Sequence, residues 1–153
     1  MSTTSLSAAD HQLIAAARAA AAHSYSPYSH FQVGSALRLR AGEVVTGTNV
    51  ETASYGGTIC AERSALTRAC TDHGDALSIA SLAVVATAPG LASCPPCAIC
   101  RNMMDELMPR DARVVFLFEG EWVTRTVAEL VPFPFQFSTP SSANPSANPS
   151  ASS

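Results

Sequence analysis

At 153 residues, 47% of them apolar, the chain has the length of one domain and enough core-forming side chains to fill it. Its formal net charge of −3 comes with no basic run, which excludes sequence-independent nucleic-acid binding; all nine basic residues are arginine, which excludes Schiff-base lysine chemistry and a phosphate-loop lysine. Five cysteines, an odd number and mostly clustered, argue for metal or thiol use in a reducing compartment rather than a disulfide framework.

There is no secretion signal and no apolar run near about 18 residues, so a soluble, cytoplasmic protein is expected, with no membrane partner. Residues 1–5 read as disordered. Ser7 with Asp10 three positions on marks a helix start, and the alanine-rich helix should run to about His23, with His11 and His23 solvated. Residues 24–30, S-Y-S-P-Y-S-H, lack periodicity and contain Pro27, so they read as a loop. Its Tyr25 and Tyr28 either line a pocket or cap the core. Residues 31–40 alternate, 41–43 turn and 44–50 return, which is a hairpin. Gly34 within its first strand predicts close approach of another backbone. Asn49 and Glu51 alternate at the end of the second strand and so face one side. They suit a polyol such as a ribose, or they form a solvated strand end with an Asx turn.

Residues 52–59 contain a glycine pair and read as a loop. A helix is expected from Cys60 to about His73, closed by Gly74, with Cys70 as a buried, inert thiol. Residues 79–87 are nearly continuous in apolar side chains, the pattern of a central strand covered on both faces. After a loop at 88–96 comes a helix from Cys97 to about Met108, stopped by Pro109, with Met103, Met104 and Met108 as core filler. Then follow a strand at 113–118, a turn at 119–121, a short strand at 122–124 and a short helix at 126–130. The order is α-β-β-α-β-α-β-β-α. Residues 1–137 are expected to form one domain. From Ser138 to 153 the chain is a low-complexity, disordered tail built on A-N-P-S.

Two stretches carry the chemistry. T-I-C-A-E-R, residues 58–63, supplies Cys60 and Glu62, and C-P-P-C-A-I-C-R-N, residues 94–102, supplies Cys97 and Cys100 in C-x-x-C spacing after Pro96. Zinc is held well by thiolates, and a catalytic site keeps three protein ligands and one open position. The metal lowers the pKa of bound water from about 15.7 toward 7. A carboxylate that is not a ligand must then move protons, and Glu62 is placed for that. The halves together match the zinc-deaminase pattern, with Cys60 in place of the usual histidine. One Zn²⁺ with three thiolates carries net −1. Arg63 and Arg101 offer a cation beside each ligand group, or else are ordinary helix-surface charges.

The sequence resembles the small zinc-dependent cytidine deaminases of pyrimidine salvage over roughly residues 10–136. Y-S-P-Y-S-H-F-Q-V-G-S-A-L, T-N-V-E-T-A-S-Y-G-G-T-I-C-A-E-R-S-A-L, P-P-C-A-I-C-R-N and T-V-A-E-L-V-P carry the resemblance. It implies a three-layer α/β/α sandwich on a five-stranded mixed sheet, a homotetramer whose sites neighbouring subunits complete, and hydrolytic deamination of cytidine or deoxycytidine. Cys60, Cys97 and Cys100 would bind zinc and Glu62 would shuttle protons. Asn49 and Glu51 would hold the ribose hydroxyl, Phe31 would pack against the base, and the Ala61 N–H would bond its carbonyl. Arg63 would hydrogen-bond the ligand thiolates, and Tyr55 and Phe135 would reach between subunits. Thr52, Pro95, Ala98 and Asn102 depart from the family's pattern and touch substrate preference more than reaction type.

Other readings follow from the same residues. The departures suit a deaminase of another aminonucleoside, such as a modified cytidine or a nucleoside antibiotic. Cys94 would turn the cluster into a closed structural Cys₄ zinc site. A redox C-P-P-C or C-A-I-C pair leaves Cys60 and Glu62 without a role.

Overall fold

The computed structural model describes residues 6–135; the disorder expected at 1–5 and the tail expected at 138–153 lie outside the described residues. In chain order the elements are α1 (Ala8–Ala21), β1 (Val33–Leu39), β2 (Val44–Thr48), α2 (Ala61–His73), β3 (Ile79–Ala86), α3 (Ala98–Leu107), β4 (Arg113–Phe118), β5 (Glu121–Thr126) and α4 (Val127–Leu130), the order the sequence predicts. Single 3₁₀ turns lie at Tyr55–Gly57 and Gly74–Ala76. Helix α1 starts at a capping box. Ser7 Oγ accepts the Asp10 N–H at 3.2 Å, and the Asp10 carboxylate accepts the Ser7 N–H at 2.8 Å.

The strands lie in the order β2-β1-β3-β4-β5. Neighbours are antiparallel except β3 and β4, which are parallel because α3 carries the chain back between them. The alternation of strand side chains divides the core in two. On one face Leu13, Ile14 and Ala17 of α1 pack with Ala36, Ala83, Val85 and Val115. On the other, Leu66, Met104 and Val127 from α2, α3 and α4 pack with Leu37, Leu82, Val84 and Val114. Strand β3 thus feeds both cores, as a centre strand must, and the architecture is the expected α/β/α sandwich on a five-stranded mixed sheet.

Two glycines let helices lie directly on the sheet. A Cβ at Gly34 would sit 1.9 Å from the Ala17 carbonyl oxygen of α1. One at Gly47 would sit 2.3 Å from the Ala65 nitrogen of α2. The approach at Gly34 is the one the sequence predicts. Nothing in T-G-T at 46–48 announces the approach at Gly47.

Strand β1 also fixes where the site lies. Gly34, near its start, faces Thr48 at the end of β2 and Val85 near the end of β3. Both partners run antiparallel to β1, so the loops that follow them leave the sheet at the same end. Those loops lead to Cys60 and Cys97.

Several boundaries differ from expectation. Both metal-motif helices start one residue later, because Cys60 and Cys97 take extended cap conformations (φ −71°, ψ 154° and φ −69°, ψ 167°). Strand β5 spans six residues instead of three because it pairs with β4 along its whole length. Cys70 is half-buried rather than buried. Met104 and Met108 are core, and Met103 packs against it from a half-buried position. Among the described residues no helix is long and apolar enough to cross a membrane.

Candidate metal centre

Cys60 caps α2 and Cys97 caps α3, and neither side chain hydrogen-bonds its own helix. Both sulfurs are therefore free for another partner, set where unpaired N–H groups give each helix its positive end. Cys100 lies one turn into α3 and is fully buried. The Sγ atoms of Cys60 and Cys97 are 3.9 Å apart, those of Cys97 and Cys100 3.4 Å, and all three lie within 4.8 Å of one another. Tetrahedral thiolates at a Zn–S distance of about 2.3 Å would stand about 3.8 Å apart. The three sulfurs fit that ion with small adjustments.

The electrostatics of the cluster also call for a cation. A hydrogen bond from the Cys100 thiol, with help from Arg63 and Cys97 and against burial, lowers the Cys60 thiol to about 5. The bond to Cys60, burial and the charge of Glu62 hold Cys100 far above its ordinary value. One thiolate forms readily and its charge then keeps a neighbour protonated. A divalent cation removes that penalty. Arg63 sits beside this charge. Burial alone would loosen its proton, but the Cys60, Cys100 and Cys97 sulfurs outweigh it. Its Nη2 donates to the Thr58 carbonyl at 2.7 Å, while its Nε is buried without a partner in bonding geometry. Arg101 is half-buried and donates from Nε to the Pro96 carbonyl at 2.8 Å, bracing the loop rather than lying on the surface.

Glu62 lies in the first turn of α2 and is 5% exposed. Burial raises its carboxyl above the ordinary range; the Cys60 charge adds to this, against hydrogen bonds from its own N–H and the Cys100 thiol. The acid is therefore in reach of the sulfur cluster. Cys94 is not among the three clustered sulfurs. It is half-buried against the core, its N–H held by the Leu117 carbonyl at 2.8 Å, and burial followed by the charges of Glu62 and Cys60 pushes its thiol up to about 11. Its place outside the cluster, not its acidity, sets it apart from Cys100, whose thiol is raised as well.

Asn49 and Glu51 are both buried, at 7% and 8% exposure, which rules out a solvated strand end. Each is tied to the 24–31 loop. Asn49 Oδ1 accepts the Ser24 hydroxyl at 2.6 Å and the Val33 N–H at 2.9 Å, and its Nδ2 donates to the Phe31 carbonyl at 2.9 Å. Glu51 Oε2 accepts the N–H groups of Tyr28 and Ser29 at 3.0 and 3.2 Å, and Oε1 accepts the Ser29 hydroxyl. These serines carried no signal in the sequence, since a loop has no period to betray its partners. Phe31 is half-buried against the core. Tyr25 and Tyr28 are exposed and cap no core. Tyr28 meets Tyr55 edge to face with centroids 6.2 Å apart, and Tyr55 and Phe135 are each 74% exposed. As the first residue of α2, Ala61 has an N–H without an intrahelical acceptor.

Known proteins resemble this chain in sequence and fold. The profile of the family described as cytidine and deoxycytidylate deaminase zinc-binding region matches residues 7–118. The chain is 44% identical over 112 residues, 72% of its length, to a cytidine deaminase of Halalkalibacterium halodurans, 82% of which is covered. It superposes on the crystal structure of cytidine deaminase from Burkholderia pseudomallei with a TM-score of 0.74 at 40% identity, covering 82% of this chain and 98% of that one. A more distant relative, blasticidin-S deaminase of Bacillus cereus, is 25% identical over 139 residues, 88% of this chain and 98% of its own. Cys60, Cys97 and Cys100 are the zinc ligands such a region requires, and the chain belongs to the zinc-dependent cytidine deaminase family.

Proposed function

We propose that this chain hydrolyses cytidine and deoxycytidine to the uracil nucleosides with release of ammonia. The observation that carries the reading is a buried carboxyl, raised in pKa, in reach of three clustered thiols at two helix N-termini. Zinc held by Cys60, Cys97 and Cys100 supplies the Lewis acid that makes water nucleophilic at neutral pH. Glu62 takes a proton from the attacking water as oxygen bonds to C4 and gives it to ring N3. It then moves the remaining hydroxyl proton to the amine as the C4–N bond breaks. Its raised pKa suits a group that must accept and return a proton near neutrality.

The sugar subsite has a countable capacity. A carboxylate offers about four acceptor positions, and Glu51 has three filled. The Asn49 amide nitrogen has one N–H engaged and one left. One acceptor and one donor suit a single hydroxyl. Phe31 would pack against the base, and the Ala61 N–H would bond its carbonyl.

Ammonia release from a panel of cytosine nucleosides, with zinc content on the same sample, tests the reading. Glu62→Ala should keep its zinc and lose about 10²–10⁴ in turnover; near-normal turnover would refute the role. Activity on an aminonucleoside antibiotic without activity on cytidine would favour the second reading, which the blasticidin-S deaminase relative and the departures at Thr52, Pro95, Ala98 and Asn102 support. We further infer a cytoplasmic homo-oligomer, with four subunits expected from the resemblance. The exposed aromatic rings of Tyr25, Tyr28, Tyr55, Phe133 and Phe135 and the free thiols support it.

A further inference from the structure

One hydroxyl connects the two halves of the nucleoside pocket. Ser29 meets Glu51 twice, through its N–H to Oε2 at 3.2 Å and its hydroxyl to Oε1. The same oxygen accepts the Phe31 N–H at 3.0 Å. Phe31 is in turn held by Asn49 Nδ2 through its carbonyl. The Ser29 hydroxyl therefore lies between the carboxylate assigned to the sugar and the backbone of the ring assigned to the base.

We propose that Ser29 is a positioning residue for the sugar subsite: its hydroxyl locks the Glu51 carboxylate so that one acceptor position is presented to a sugar hydroxyl. This rests on the reading of Glu51 as the sugar ligand. The last torsion of a glutamate is broad and soft, so a carboxylate is fixed only by what its oxygens bond. Backbone N–H groups hold Oε2, and the Ser29 hydroxyl is the bond that holds Oε1. That bond is also the largest cause of Glu51 lying below its ordinary carboxyl range; burial opposes it, and the Tyr28 and Ser29 N–H groups and the nearby His30 reinforce it. An oriented, charged acceptor binds a hydroxyl better than one that must first be turned. Ser29 itself is exposed, so removing its oxygen opens no cavity in the core.

The test compares cytidine with 2′,3′-dideoxycytidine, which lacks the 2′ and 3′ hydroxyls and keeps the 5′ one. Ser29→Ala should lower kcat/KM for cytidine about tenfold, in KM rather than kcat, with a distinctly smaller loss on the dideoxy substrate. Ser29→Thr keeps the hydroxyl and should recover most of the loss. Equal losses on both substrates, or no loss on either, would overturn the assignment, because a merely disturbed loop does not distinguish them. Glu51→Ala in the same assay separates the two levels. If it also singles out cytidine while Ser29→Ala does not, Ser29 alone loses its role. If Glu51→Ala fails to separate the substrates, the sugar-ligand reading falls and the inference with it.

Discussion

The sulfurs of Cys60 and Cys97 lie 3.9 Å apart although 37 positions separate them in the chain. Each caps a different helix, so the site exists only where α2 and α3 start side by side. Replacing Cys60, Cys97 or Cys100 by serine should drop zinc content well below one per chain, whereas Cys94→Ser should keep it. Metal analysis of the purified variants checks this. Loss of zinc from Cys94→Ser would revive the closed four-thiol site.

Gly47 sets how closely α2 lies on β2. A methyl group there would meet the Ala65 nitrogen at 2.3 Å and the Ala61 carbonyl oxygen at 2.7 Å, both backbone atoms that cannot swing aside. Gly47→Ala should cost about 3 kcal/mol in urea unfolding. It should also reduce turnover in the protein that remains folded, because the displaced helix carries Glu62. Unchanged stability would mean that α2 is not seated as described.

The start of α1 carries a pH-dependent tie. Arg113 Nη2 lies 2.8 Å from the Asp10 carboxylate, which is 3% exposed. Burial would raise the Asp10 carboxyl, but the Ser7 bonds and the Arg113 charge outweigh it and hold it below the ordinary aspartate range. A depressed folded pKa gives stability that is present above the unfolded pKa and lost as pH falls through the folded one. Asp10→Asn should therefore cost about 1–2 kcal/mol at pH 7, and the deficit should shrink as pH falls below the ordinary aspartate range. Urea midpoints at neutral and acid pH measure it; a deficit that stays constant would exclude the charge as its source.

Tyr55 is 74% exposed, with its ring edge to face against Tyr28. If this surface joins subunits, Tyr55→Asp should lower the mass seen by sedimentation velocity and reduce activity in a concentration-dependent way. A monomeric wild-type chain with full activity would end the oligomer reading.

The order of elements was legible because helix and strand periods are local. The capping box at Ser7 and Asp10 and the apolar run of β3 are written in consecutive residues. The metal ligands were legible too, since C-A-E and P-C-x-x-C fix residue types at short range. Cys70 and β5 were read less well. How much of a thiol a neighbouring element covers, and how far one strand pairs along another, are properties of the partner.

The sequence by itself determined which elements form, which sulfurs are available and which acid stands beside them, because each follows from a few adjacent side chains. Tertiary structure alone decided three other things. It brought two ligand loops to one end of the sheet, left Cys94 outside the cluster, and turned Asn49 and Glu51 inward onto Ser24, Ser29 and the backbone around them. The physical reason is that antiparallel pairing of β1 with both β2 and β3, and hydrogen bonds across loops without a period, join residues whose separation in the chain carries no information about their separation in space.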